Sequence, residues 1–302
     1  MKILLVANKT LIREGKNRID AAYWNFYIPF LELGHHVYFY DTTNPIETNF
    51  NKIVETFCPD LIFSILCGEK AVAPYEPLEQ IKNLTLKGNI KTFNWFCDDT
   101  WRFENFSKQI CSYFTACSTP EEYCIKKYKD IGYNNILLGQ WHVNQNYLTN
   151  SNIKQFEVGF CGGLSTERIN TLNFIKSKIA IFSGCCYETM FELYSLSKIG
   201  FNMTINDNDP QKKTQMKQRL FEIPCAGSLM VTQNVQNLDK YFIANKEIIV
   251  YETAEEAADK IKFYLNNKIE RERIAKKGQE RFIRDHTSKN RLAKLIEQIN
   301  KL

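Results

Sequence analysis

The sequence predicts an α/β protein of two parallel-sheet domains facing across a cleft, closed by C-terminal helices, on three observations. In the first half, near-continuous apolar runs alternate with helix-length amphipathic stretches, the pattern of strands buried on both faces. Near residue 150 this rhythm breaks into a polar stretch, Asn146 to Lys154, with the composition of a linker. A second alternating series follows. The expected division is therefore an N-terminal domain over 1–150, a C-terminal domain over 151–285, and a terminal helix over 286–302 expected to pack back toward the first domain.

Lys2 to Asn8 reads as the first strand. Ile19 to Leu33 has helical periodicity and stops at Gly34, a residue suited to a helix end, and His36 to Asp41 reads as the second strand. The rhythm then recurs: a helix near Glu47 to Phe57 with a strand at Asp60 to Leu66, a helix near Glu76 to Lys87 with a strand at Ile90 to Cys97, and a short strand at Tyr113 to Cys117. In the second half, strands are expected at Phe156 to Cys161, Ile179 to Phe182, Gly200 to Ile205, Leu229 to Thr232 and Glu247 to Tyr251. Helices over Thr253 to Asn266, Ile269 to Asp285 and Ser288 to Lys301 end the chain. There is no internal repeat at the scale of a solenoid unit.

Composition narrows the function classes. The chain has 302 residues, 44% of them hydrophobic and 13% aromatic, ample for packed cores. The apolar opening is too short for a signal sequence and no later run is long enough to span a bilayer, so a cytoplasmic protein is expected, with no transmembrane segment. Ten cysteines form no CxxC pair and several sit within apolar runs, as free buried thiols do. His35, His36, His142 and His286 are too scattered to suggest a zinc site. The net charge of +5 divides as about −1 on 1–150 and about +6 on 151–302. Its C-terminal excess is interleaved with Glu at helical spacing, a solvated face rather than a nucleic-acid surface, although peripheral contact with a membrane is compatible with it.

The loop after the first strand, Asn8 to Gly15, carries no GxGxxG, so the cofactor-type phosphate loop is not there. The stretch Lys217 to Gly227, followed by the apolar run Ser228 to Thr232, reads as a helix closed by glycine and turned into a buried strand. Glu222 lies inside it. A carboxylate accepts hydrogen bonds only, so one near a strand end suits vicinal hydroxyls such as a ribose pair, with Lys217 and Arg219 beside it for phosphate. The competing reading is a surface helix with a solvated Glu. Gly162 and Gly163 precede a helix that Ser165 or Thr166 can cap, where phosphate can approach free N–H groups and Arg168 can add charge.

In order along the second half come Val158 to Gly162 with Arg168, Arg219 to Gly227, Glu247 to Tyr251 with Glu255 and Glu256, Arg271 to Arg281, and His286-Thr287 with Arg291. On these residues the chain resembles the glycosyltransferase group 1 family, in its CgeB-like, spore-maturation-protein-like branch. The first half matches more loosely, through Trp95 to Asp99, Cys117-Ser118 and the stretch from Lys127 to Gly132. The resemblance implies a GT-B fold of two Rossmann-like domains, a nucleotide-sugar donor held mainly by the C-terminal domain and an acceptor by the N-terminal one. It further implies that Glu222 binds the donor ribose and that Gly227 and Ser228 shape the turn under the diphosphate. One departure stands out: many retaining relatives carry a second Glu about eight residues earlier, and here Lys213-Thr214-Gln215 occupies that neighbourhood. Sugar-nucleotide epimerases share the fold, and a non-catalytic binding or scaffold subunit is the further alternative.

Loss of a nucleotide from a sugar leaves negative charge on the diphosphate. Arg168, Lys217 and Arg219 can meet it without metal. Asp98-Asp99 is only a pair, and Asp207-Asn208-Asp209 is a loop with Asn in the middle followed by Pro210, so neither is read as a metal–diphosphate triplet. No cofactor is expected beyond the donor substrate, for which a UDP-sugar is the expectation. Candidate catalytic residues are Asp98 and Asp99, just past a strand end, and His142 at the hinge. Both Asp residues equally suit helix capping before Trp101, and His142 equally suits a structural hydrogen bond. Arg18, Tyr23 and Trp24, at the start of the first long helix, are the candidates for the acceptor, which is a glycan, lipid-linked or protein group. Their aromatic spacing also fits a core.

Overall fold

The computed structural model describes every residue except Glu14, Asn150, Asp207, Asn208, Pro210 and Lys212, and describes Arg13 by its backbone. The chain forms two compact units. One comprises Met1–Gln140 with Ser288–Leu302, the other Trp141–Thr287. The division thus falls before the polar stretch. Asn150, where the sequence pattern places the boundary, lies outside the described residues, as do Asp207 and Asn208 of the acidic loop.

The first unit holds strands β1 (Lys2–Ala7), β4 (His36–Asp41), β5 (Leu61–Ser64), β6 (Lys91–Trp95), β7 (Ala116–Thr119) and β8 (Ile136–Leu138), in the order β4-β1-β5-β6-β7-β8. Every pairing in it is parallel. Ile3 to Ala7 are fully buried, which is why this segment is apolar at consecutive rather than alternate positions. Between β1 and β4, Thr10–Arg13 (β2) and Lys16–Ile19 (β3) pair as an antiparallel hairpin with Gly15 in the left-handed region at φ 71. Helices α1 (Ile28–Glu32), α2 (Phe50–Phe57), α3 (Leu78–Lys87), α4 (Asp99–Arg102), α5 (Lys108–Ile110) and α6 (Glu122–Asp130) belong to this unit, and π-helical turns at Tyr23–Tyr27 and Phe103–Ser107 lead into α1 and α5.

The second unit holds β9 (Phe156–Cys161), β10 (Ile179–Phe182), β11 (Ser197–Asn202), β12 (Leu229–Gln233) and β13 (Ile249–Tyr251), parallel in the order β10-β9-β11-β12-β13. Its helices are α7 (Thr166–Phe174), α8 (Tyr187–Ser195), α9 (Arg219–Cys225), α10 (Ala254–Asn266) and α11 (Lys268–Asp285). The last helix, α12 (Ser288–Asn300), belongs to the first unit, where the Lys91 ammonium donates to its final carbonyls at Ile299 and Asn300.

In both sheets the strand that comes first in its unit lies between the next two. The chain passes from β1 to β4 on one side and from β4 back across to β5 on the other, and it does the same from β9 to β10 and from β10 to β11. Such a reversal opens a crevice at the carboxyl ends of the strands, where ligands of open α/β sheets bind.

Two expectations are corrected here. The helix expected over Ile19 to Leu33 starts later because hairpin β2–β3 takes its first residue, and Arg18 lies on β3 rather than on a helix. The strand expected over Gly200 to Ile205 is β11, which begins at Ser197 and ends at Asn202.

Candidate functional site

In the second unit the crevice lies between the ends of β9 and β11, and Arg219 spans it. Its Nε donates to Asn202 Oδ1 at 3.1 Å and its Nη1 to the Cys161 carbonyl at 2.6 Å, while the guanidinium sits 5.4 Å from the centroid of the Phe160 ring. Among the described residues Nη2 has no protein partner. The next residue, Gly162, has φ 156, and a Cβ there would fall 2.2 Å from Arg219 Nη1. Only glycine lets the chain pass this close to the guanidinium. The first helical turn of α7 follows, with Ser165 Oγ accepting from the Arg168 amide as cap. Arg168 reaches back along this turn. Its Nη1 donates to the Gly163 carbonyl at 2.9 Å and its Nη2 to that of Ile205 at 3.4 Å.

Glu222 lies one helical turn past Arg219, buried to 5% exposure. Burial first, and then the Glu222 charge, push the Cys225 thiol well above its usual range. Gly227 ends α9 at φ 72, where a Cβ would stand 2.9 Å from the Thr149 carbonyl. Gln279 of α11 ties the same corner through donations to the carbonyls of Thr149 and Cys225. Ser228 is buried, and its hydroxyl donates to the carbonyls of Tyr194 and Ser197. It therefore holds β12 to its neighbours from the interior. Lys217 is half-buried just before α9, and Gln218 beside it donates to the Tyr187 hydroxyl at 3.1 Å. His142 is buried at 3% exposure, next to Val143, which bridges to Thr287.

In the first unit a cavity of about 270 Å³ opens at the corresponding crevice. Asn8 after β1, Cys67 and Glu69 after β5, and Asp98 and Arg102 after β6 line it, together with Asp20. The turn after β5 is held from two sides. Glu76 accepts from the amides of Cys67 and Gly68, and Arg102 donates to the Cys67 carbonyl while its Nη1 lies 3.3 Å from Glu69 Oε1. Burial, and then the Glu76 charge, push the Cys67 thiol up to about 11.

The two adjacent carboxylates part company here. Asp98 lines the cavity, and although it stands at the N-cap of α4 its side chain makes no cap hydrogen bond. Asp99 is fully buried, accepting from Ser107 Oγ at 2.5 Å and Tyr128 Oη at 2.7 Å, so it faces the protein interior rather than a substrate. Of the acceptor candidates, Tyr23 packs on Trp24, Tyr27 and Phe39 with ring centroids at 5.1, 5.1 and 6.2 Å, as part of an aromatic cluster. Arg18, Tyr23 and Trp24 are not among the residues lining the cavity.

Asn202, Cys161, Asp20, Glu69 and Arg102 were not singled out from sequence. Asn202 and Cys161 end apolar strands and read there as strand residues. Asp20 carried a usable signal: it precedes a helical run and accepts from the Ala22 amide at 2.8 Å. Among the described residues no group of three or more His, Cys, Asp or Glu stands close enough to hold a metal ion, and no helix is long and apolar enough to cross a membrane.

Residues 177–297 match the family model described as "Glycosyl transferase-like". No curated protein matches the sequence. Solved structures match over the whole chain. Anabaena HepE, in complex with UDP-glucose, aligns at TM-score 0.65 with 12% identity, covering 100% of both chains. Sucrose-phosphate synthase from Thermosynechococcus elongatus aligns at TM-score 0.65 with 11% identity over 99% of each. A glycosyltransferase from Rickettsia africae aligns at TM-score 0.62 with 13% identity, covering 99% of this chain and 98% of that one. The fold is the GT-B fold of two Rossmann-like units. Within it, residues 177–297 form a glycosyl transferase-like segment that contains Arg219 and Glu222.

Proposed function

We propose that this chain is a glycosyltransferase that moves a sugar from a nucleoside-diphosphate donor, a UDP-sugar, to a hydroxyl of a glycan, lipid or protein acceptor, and does so without a metal. The observation that carries the reading is Arg219, pinned across the crevice of the second unit with Nη2 left to donate and Glu222 one turn further on. A diphosphate at Gly162-Gly163 would meet this guanidinium, and Glu222 is the acceptor for a ribose hydroxyl pair. As the anomeric C–O bond breaks, charge grows on the departing diphosphate. A guanidinium held by Asn202 and the Cys161 carbonyl needs no reorganisation to meet it, a contribution of about 3 kcal/mol per donor. Arg168 supports the glycine turn and Lys217 adds positive charge before α9.

The first unit takes the acceptor in the cavity at β1 and β5. Asp98 accepts a hydrogen bond from the acceptor hydroxyl there, and takes its proton where the reaction inverts. Asp99, with both oxygens engaged, has a structural role in this reading. The UDP-glucose complex of HepE and the glycosyl transferase-like match over 177–297 support the donor class. The order of motifs through the second half supports the CgeB-like branch.

A thermal-shift comparison of UDP, GDP, CMP and dTDP tests the reading, with Arg219→Ala and Glu222→Gln beside the natural sequence. UDP at a hundredfold excess over its Kd is expected to add about 2.7 kcal/mol of stability, an effect absent from both variants and unchanged by chelator. Stabilisation of the variants equal to that of the natural chain would remove the assigned donor site. Transfer that requires added Mn²⁺ after chelation would overturn the metal-free mechanism.

A further inference from the structure

We propose that Cys161 and Cys185 form a thiol–disulfide site at the edge of the donor site, with a low-molecular-weight disulfide as its reactant, whose closure disables nucleotide binding. The two Sγ atoms stand 3.3 Å apart, and both residues are half-buried rather than sealed in the core. Cys161 ends β9, and Cys185 follows the end of β10, whose Phe182 pairs with Cys161 in the sheet. The thiols thus meet across neighbouring strand ends. Gly184 gives the segment before Cys185 a left-handed residue at φ 58.

A bonded pair needs its sulfurs about 2.05 Å apart, so closure brings these two more than an ångström nearer and turns the side chains that carry them. The main chain at Cys161 is also the one that fixes Arg219. The Cys161 carbonyl accepts its Nη1, the Cys161 amide donates to the Tyr194 hydroxyl at 3.2 Å, and the Gly162 amide donates to the Phe182 carbonyl at 3.0 Å. Gly162, next in this turn, lies against the Arg219 guanidinium, so a rearrangement at Cys161 bears directly on that side chain.

In a hydrogen-bonded thiol pair one sulfur ionises first and the other keeps its proton. The hydrogen bond to Cys185, ahead of burial, pushes the Cys161 thiol up, which suits Cys161 to the second, resolving step. Cys185, having lost its proton to solvent, attacks one sulfur of a disulfide RSSR and expels RS⁻, leaving a mixed disulfide. Cys161 then gives up its proton and attacks the Cys185 sulfur, expelling the second RS⁻. Both thiols are oxidised by two electrons in all, and RSSR is reduced to two RSH. Cys186 has a different neighbour, with its Sγ 3.0 Å from Thr189 Oγ1.

The functional half of this inference rests on the proposed donor site, and the experiment separates the two. The full chain is treated with glutathione disulfide, alkylated and mapped as non-reduced peptides. UDP affinity is measured before treatment, after it, and after dithiothreitol. The expected result is a peptide linking Cys161 to Cys185, a UDP Kd weakened at least tenfold, recovery on reduction, and a Cys185→Ser variant whose affinity ignores the treatment. A link to Cys186 instead, no link, or a linked protein that binds UDP unchanged overturns the proposal. If the Cys161–Cys185 link forms but the reduced protein never binds UDP, the thiol site stands and the donor reading falls.

Discussion

Asp98 and Asp99 are neighbours in sequence with opposite surroundings, and the contrast is testable one residue at a time. The Asp98 side chain lines a cavity and makes no cap hydrogen bond to α4, so Asp98→Asn keeps the size of the side chain and removes its charge. Its denaturation midpoint is expected to move less than that of Asp99→Ala while turnover falls, by about 10² to 10⁴ where Asp98 is the base of an inverting reaction. Asp99 binds the Ser107 and Tyr128 hydroxyls inside the core. Truncating Asp99 to alanine strands both donors away from water, at roughly 1–3 kcal/mol each. Urea unfolding of Asp99→Ala is expected to show a loss of about 3 kcal/mol. An equal loss in Asp98→Asn would remove the distinction between them. Sequence alone placed the pair after a strand but gave no way to choose, because burial of a residue at a strand–helix junction depends on which side of the sheet the helix falls. Arg219 and Glu222 were legible because they sit on a helix that a glycine closes and an apolar strand run follows. Their partners Asn202 and Cys161 were hidden in strands, where a polar end residue looks like any other.

At the level of elements, the parallel strands and the long terminal helices were readable from apolar runs and caps. The expected strands at 156–161 and 179–182 coincide with β9 and β10, and the three final helices start within a residue of their expected positions. Hairpin β2–β3 is not among the expected strands, although two short runs separated by a turn ending in glycine are its ordinary signal, because the stretch from Asn8 to Gly15 reads as a loop after the first strand. Tertiary contacts also reverse a local rule at Gly278 in α11. On propensity alone, alanine at a helix interior is worth about 1 kcal/mol over glycine. Here a Cβ would stand 2.4 Å from the Glu247 carbonyl, a backbone atom just before β13 that has no side-chain freedom to yield. The clash wins over the propensity gain. Gly278→Ala is expected to lower the thermal midpoint, with a net cost of about 1–2 kcal/mol for pushing α11 off that carbonyl. A midpoint that rises instead would show that α11 can slide without cost.

For the molecule as a whole, the thiols set a pH dependence that neither unit's fold makes obvious. All ten cysteines are free. Cys117 and Cys124 in the first unit and Cys225 in the second are fully buried, and burial, the largest cause in each, pushes Cys124 up to about 12 and the other two well above their usual range. In the unfolded chain these thiols ionise near 8.5. A group whose folded pKa is raised contributes stability that is intact below the unfolded value and is lost as pH climbs toward the folded one. Between about pH 8.5 and 12 these three thiols hold protons in the folded chain that the unfolded chain has released, so they alone lower stability by roughly 4 kcal/mol per pH unit. Stability measured in reducing buffer should therefore change little on their account up to pH 8 and fall steeply by pH 9.5. Cys67, Cys97, Cys111 and Cys161 are raised as well and add to the measured slope, so Cys117→Ala is expected to lower it by about 1.4 kcal/mol per pH unit, the share of one proton, even though the substitution itself costs some packing at every pH. A slope that is identical in the variant would mean that Cys117 already ionises in the folded chain, and with it that the core around β7 admits water.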